Sequence, residues 1–186
     1  MALDIATTHG GHHKQVRVAD ILAATFHALV GPALLISLNA SVVALGFEAP
    51  AARTGEALGM PGWLTVTALA MALSCWGLVR WAVATRGTAG RNAGDWLVVL
   101  MAATIAFPFI TLGFDFAWTT IVAFALFLVG LGTLQRVARV SPAAALAMVP
   151  TVVTLGMPFL LGFTLMAAGW TPPFAVTSAN EAPAVA

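Results

Sequence analysis

The side chains able to do chemistry are few in this chain, and their positions decide what they can do. His27 lies inside a long apolar run, where an imidazole can ligate haem or relay a proton. A membrane b-type haem usually takes a second histidine at matching depth. The other three histidines, His9, His12 and His13, all precede the run. A packed, neutral His27 is therefore the simpler reading. The three N-terminal histidines could hold a metal weakly, but a solvated tail is the simpler reading. Cys75 is the one cysteine, so neither an internal disulfide nor a cysteine metal cluster is available. It reads as a small buried residue. Asp20, Asp95 and Asp115 each stand where a helix is expected to begin, and a carboxylate there meets the positive end of the helix dipole. Asn39 and Ser41 fall within an apolar run and are candidates for hydrogen bonds to another helix. Asn39-Ala40-Ser41 matches a glycosylation sequon, but it lies too deep to be modified. No metalloprotease, nucleophile-elbow or phosphate-loop motif is present, and no pair of carboxylates lies within an apolar run. No catalytic residue, cofactor or metal is expected.

These residues need helices to position them, and the composition says in what solvent. The chain is 60% hydrophobic and 8% charged, with a mean hydropathy of +0.96. Soluble domains carry roughly a quarter charged residues. So few charges cannot cover this much apolar surface in water, and the net charge of +1 gives no basic footprint for nucleic acid. A membrane helix needs about 20 mostly apolar residues. Such runs occur near 21–47, 62–85, 95–113, 116–134 and 142–170. They are continuous rather than alternating, which argues for helices and against a β-barrel. The expected fold is an all-α integral membrane protein with about five transmembrane helices. The expected organisation is a polar cytoplasmic tail at 1–19, a transmembrane domain at 20–170 and a disordered periplasmic tail at 171–186. The polar start and the length of the first run argue against a cleavable signal peptide.

Flanking charges test the span count. Lys14 and Arg17 precede the first run, Arg80, Arg86 and Arg91 surround the second connection, and Arg136 and Arg139 occupy the fourth. The intervening connections hold Glu48, Arg53 and Glu56, and Asp115. Positive residues stay in the cytoplasm. Five spans therefore predict a cytoplasmic N-terminus and a periplasmic C-terminus, with Arg53 as the exception. Trp63, Trp81, Trp96, Trp118 and Trp170 fall near span ends, where indoles favour the interface. Pro32, Pro108, Pro150 and Pro158 fall inside spans and predict kinks. Ala24 with Ala28, and Ala143 with Ala147, could let helices approach closely. No span carries a row of charges suited to a polar substrate path, so the chain reads as a subunit.

Four short marks carry a family resemblance. Arg17-Val18-Ala19-Asp20 leads into the first span, and Met60-Pro61-Gly62-Trp63 into the second. Leu112-Gly113-Phe114 turns the corner between the third and fourth, and Gly169-Trp170-Thr171-Pro172 closes the last. With this span order the chain resembles the small membrane subunit (TctB family) of tripartite tricarboxylate transporters over roughly 17–173. It departs from that family in lacking a second proline after Gly62 and in its histidine-bearing tail. The resemblance implies a supporting, non-catalytic role in the bacterial inner membrane. The implied partners are a large multi-span membrane transport subunit and a periplasmic substrate-binding protein, with the lipid bilayer as solvent. Pro61, Gly62, Pro108, Gly113, Phe114 and Asp115 are the candidate structural or partner-contact residues. Gly113 is expected to need a positive φ in its short corner, so that Gly113→Val would disturb the hairpin. Two other classes stand beside the transporter subunit, the first on the same absence of a polar path and the second on His27. One is an accessory subunit of a respiratory or photosynthetic complex, and the other is a membrane enzyme or cytochrome using His27.

Overall fold

The computed structural model describes residues 18–57 and 61–169. Both expected tails lie outside the described residues, except that Val18 and Ala19 open the first helix. Met60, Trp170, Thr171 and Pro172 are outside them too. The described chain forms α1 (Val18–Ala44), α2 (Pro50–Ala57), α3 (Gly62–Ala84), α4 (Gly87–Ile110), α5 (Phe116–Val140) and α6 (Pro142–Gly169). A single 3-10 turn, Thr111–Gly113, joins α4 to the corner before α5. All but α2 are long and apolar enough to cross a membrane.

Helices α3 to α6 close into a ring, each packed on the next and α6 back on α3. The core of the ring holds Leu73, Trp76, Leu97, Leu100, Val137, Met148 and Val152, all essentially inaccessible. α1 lies outside the ring against α3, burying the stripe Gly31, Leu35 and Asn39 at four-residue spacing, with Pro32 beside it. Its remaining faces are apolar and exposed, as lipid contact requires. Ala24 and Ala28 border the α1–α3 seam beside Leu78 and Trp81, whereas Ala143 and Ala147 are exposed. The tightest point of that seam is Gly77, where a Cβ would overlap the backbone carbonyl of His27.

Helix ends explain where the chain turns. Asp115 caps α5 by accepting from the Trp118 backbone N–H at 2.8 Å, as its position suggested. Ser141 precedes Pro142 at the start of α6, and its Oγ accepts from the Ala144 N–H at 3.4 Å. Asp95 does not begin a helix. α4 starts at Gly87, so Asp95 lies more than two turns inside it and is exposed. Hydropathy hid this start, because Arg91 and Asn92 face outward from an interfacial helix. α5 likewise runs past the expected end at 134 to Val140. Arg136 is accommodated there by lying 4.0 Å over the Trp96 ring and donating to the Gly132 carbonyl at 2.9 Å.

Two faces result. Arg86, Arg91, Arg136 and Arg139, with Arg80 one turn inside, gather at one end, called here the arginine face. α2, the Thr111–Asp115 corner and the start of α3 gather at the other, the α2 face. α2 is absent from the sequence reading. It is too short and polar to register as a span, yet Pro50 suits a first helical position. Asn39 supplies what α2 lacks. Its Oδ1 accepts from the Ala51 N–H at 3.0 Å, while its Nδ2 donates to the Leu35 carbonyl at 2.9 Å. The expected interhelical bond is thus made by Asn39. Ser41 instead donates back to Ser37 within α1 at 2.8 Å. Asn39→Ala would strand a buried N–H, at a cost of about 1–3 kcal/mol. The expected result is faster amide hydrogen exchange across 50–57 with α3 to α6 unchanged; equal protection would show that the bond does not hold α2.

Candidate functional site

Beneath α2, the ring opens into two adjoining voids. One, of about 340 Å³, is lined by α3 and α6 residues including Leu64, Thr65, Ala68, Met157 and Leu161. The other, of about 250 Å³, lies toward the corner, with Arg53, Thr111, Phe114 and Thr119 in its wall. Thr54, Phe107, Ala123 and Pro158 border both. Leu64, Ala68, Thr154, Met157 and Leu161 are exposed, so the larger void reaches the lipid-facing surface between α3 and α6. Toward the arginine face the same two helices are tied together. The Trp76 Nε1–H donates to Thr151 Oγ1 at 2.8 Å, and the Cys75 thiol approaches the Ala147 carbonyl at 3.5 Å. α3 and α6 are thus joined over one half of their length and parted over the other.

The chemistry of these walls is mild. Thr111, Thr119, Thr120 and Thr154 each donate back to a backbone carbonyl three or four residues earlier. Thr65 differs, because its Oγ1 is buried, has no hydrogen-bond partner, and lies where a Cβ on Gly55 would overlap it. Pro108 and Pro158 sit in the walls and lack the N–H that would serve the preceding turn. The charged side chain in the lining is Arg53, 4.0 Å from Glu48 and exposed at the mouth. Such a site suits an apolar molecule carrying at most a hydrogen-bonding group. It holds no residue placed for acid–base or nucleophilic chemistry.

The candidate residues from the sequence meet here unevenly. Pro108 and Phe114 line the smaller void. Pro61 is the N-cap of α3, and Gly62 lies where a Cβ would overlap Ala52 of α2. Asp115 caps α5 at the same face. Gly113 requires a correction. It closes the 3-10 turn without a positive φ, and a Cβ on it would meet nothing within 4 Å. The positive-φ glycines among the described residues are Gly46 and Gly87. The corner is held instead by Thr111, whose Oγ1 donates to the Phe107 carbonyl at 2.9 Å, and by Asp115. Gly113→Val is therefore expected to leave the melting temperature nearly unchanged. Asp115→Ala should cost about 1 kcal/mol, read in the same thermal unfolding experiment. The reverse order would restore the glycine as the key residue.

His27 is elsewhere. It is half-buried on α1, its ring 5.9 Å from that of Phe26, and it borders a groove between α1 and α4 that also contains Arg80. Sequence reading missed this groove, α2 and Thr65. The available signals were Arg80 inside an apolar run and Pro50 before a short polar stretch. Compared with known proteins, the chain matches no family model, no curated protein and no solved structure.

Proposed function

We propose that this chain is a small, non-catalytic membrane subunit of a tripartite carboxylate transporter. It would support a large multi-span transport subunit and offer its α2 face to a periplasmic substrate-binding protein. The observation that carries the reading is the convergence of two sequence-distant corners, 61–62 and 111–115, with α2 on the face that is poor in cations. Such a convergence makes a shaped platform. Among the described residues the buried polar side chains are threonines, Ser141 and Asn39, so the interior that they form offers no charged route for a carboxylate. Transport chemistry then belongs to the larger partner. On this reading the arginine face and N-terminus lie in the cytoplasm and the C-terminus in the periplasm of a bacterial inner membrane, an orientation that the positive-inside rule favours.

A mild-detergent pull-down of the tagged chain from its native membrane, read by mass spectrometry, tests this. A many-span transport subunit together with a periplasmic carboxylate-binding protein is the expected result. Redox or pigment-binding partners would overturn it in favour of an accessory subunit of a respiratory or photosynthetic complex. The laterally open apolar void favours that second reading, since it suits a quinone or pigment ring.

A further inference from the structure

Like Arg136, Arg80 is a cation placed well inside the arginine face. It stands four residues before the end of α3, about 6 Å along the axis. Its Cγ is 3.8 Å from where a Cβ on Gly94 of α4 would lie. α4 begins eight residues before its apolar run, so Gly94 stands at the polar end of that run. Trp81 and Trp96 flank the same level. Arg80 Nε is buried and has no hydrogen-bond partner. Arg80 is in no ion pair within 4.0 Å among the described residues, so no carboxylate neutralises it at that distance. A guanidinium in this setting is stabilised by an anion that brings its own acceptors.

The surroundings say what else that anion must be. Arg80 and His27 border a groove of about 210 Å³ between α1 and α4, floored by Gly77 and Gly31. The rest of its lining is apolar, including Val30, Leu34, Met101 and Ile105. Leu34, Val98 and Ala102 are exposed, so the groove faces lipid along its length. A free inorganic anion would gain nothing from these walls. An acyl chain would fill them and recover the dispersion contacts that an open groove forfeits.

We propose that the α1–α4 groove binds an anionic phospholipid, its phosphate on Arg80 and one acyl chain running toward Leu34 and Ile105. The lipid comes from the leaflet on the arginine face. His27 stands at the top of the chain path, where an imidazole N–H can reach the ester region. A basic pocket between helices on this side is the arrangement that holds lipid headgroups.

Native mass spectrometry of the full chain in dodecyl maltoside, titrated with phosphatidylglycerol or phosphatidylcholine, tests the proposal. The wild type is expected to retain one phosphatidylglycerol in clear preference to phosphatidylcholine. Arg80→Met should weaken that binding about tenfold, and Arg80→Lys should restore much of it. Ala102→Trp, which keeps Arg80 but fills the groove, should weaken it as well and serves if Arg80→Met does not fold. Millimolar inorganic phosphate should not displace the lipid. Equal binding of the two lipids would overturn the proposal, as would wild-type affinity in both Arg80→Met and Ala102→Trp. So would an equal loss in Arg139→Gln, which would mean unspecific surface charge, or displacement by inorganic phosphate.

Discussion

Gly77→Leu should release α1 from the ring while leaving the ring itself folded. The reason is the nature of the atom that Gly77 faces. A Cβ there overlaps the backbone carbonyl of His27, with the Ala28 Cα also close. Side chains can rotate away from an intruding methyl group, but a helix backbone moves only as a unit. Overpacking costs about 1–3 kcal/mol where neighbours can relax, and Gly77→Ala should fall in that range. Leucine extends the intrusion across the seam and should reach its upper end or beyond. Membrane helices associate largely through close packing, so nothing replaces the lost contact. Two measurements report it: a lower thermal midpoint, and faster hydrogen exchange at the Ala51 amide as Asn39 departs with α1. A variant with wild-type values in both would show that the α1–α3 seam is not closed at Gly77.

Trp76 carries the second large effect. It is fully buried, 0% exposed, at the junction of α3 and α6. Trp76→Ala removes the largest wholly buried side chain among the described residues and leaves both a cavity and a Thr151 hydroxyl without its donor. The expected cost is about 3–5 kcal/mol. Trp76→Phe separates the two contributions, since it keeps most of the ring but not the N–H. A double-mutant cycle of Trp76→Phe with Thr151→Val should give a coupling of about 1 kcal/mol, within the range of hydrogen bonds between membrane helices. Zero coupling would mean that the indole acts by volume alone. Because Trp76 ties the half of α3–α6 opposite the opening, its loss should also widen the larger void beneath α2.

These two residues show where sequence reading reached and where it stopped. The five spans were legible because each is a long apolar run, and span length is set by bilayer thickness rather than by detailed packing. Asp115 was legible because a carboxylate just before an apolar run has a local reason to be there. Gly77 and Trp76 were not. In a membrane protein the core face and the lipid face of a helix are both apolar, so α3 carries no stripe to say which way Gly77 points. Alanine is so common in this chain that small-residue spacing says little: Ala24 with Ala28 borders the α1–α3 seam, whereas Ala143 with Ala147 is exposed. Tryptophan is usually an interface residue, and that habit drew attention to span ends and away from Trp76. The failure at Gly113 has the same root. A glycine in a short corner suggests a special φ, but a 3-10 turn needs none.

The hydrogen bond between Asn39 and Ala51 bears on how the chain is made. It joins residues only twelve positions apart that both precede α3, so both partners leave the ribosome before α3 does. α1 and α2 can therefore be joined while the rest of the protein is still being translated. The chain then offers the emerging α3 a finished corner, with Gly62 already facing Ala52, and the depth at which α3 starts is set by its predecessor. A single amide near the end of the first span thus holds, from its own side of the chain, the short helix against which the second span begins.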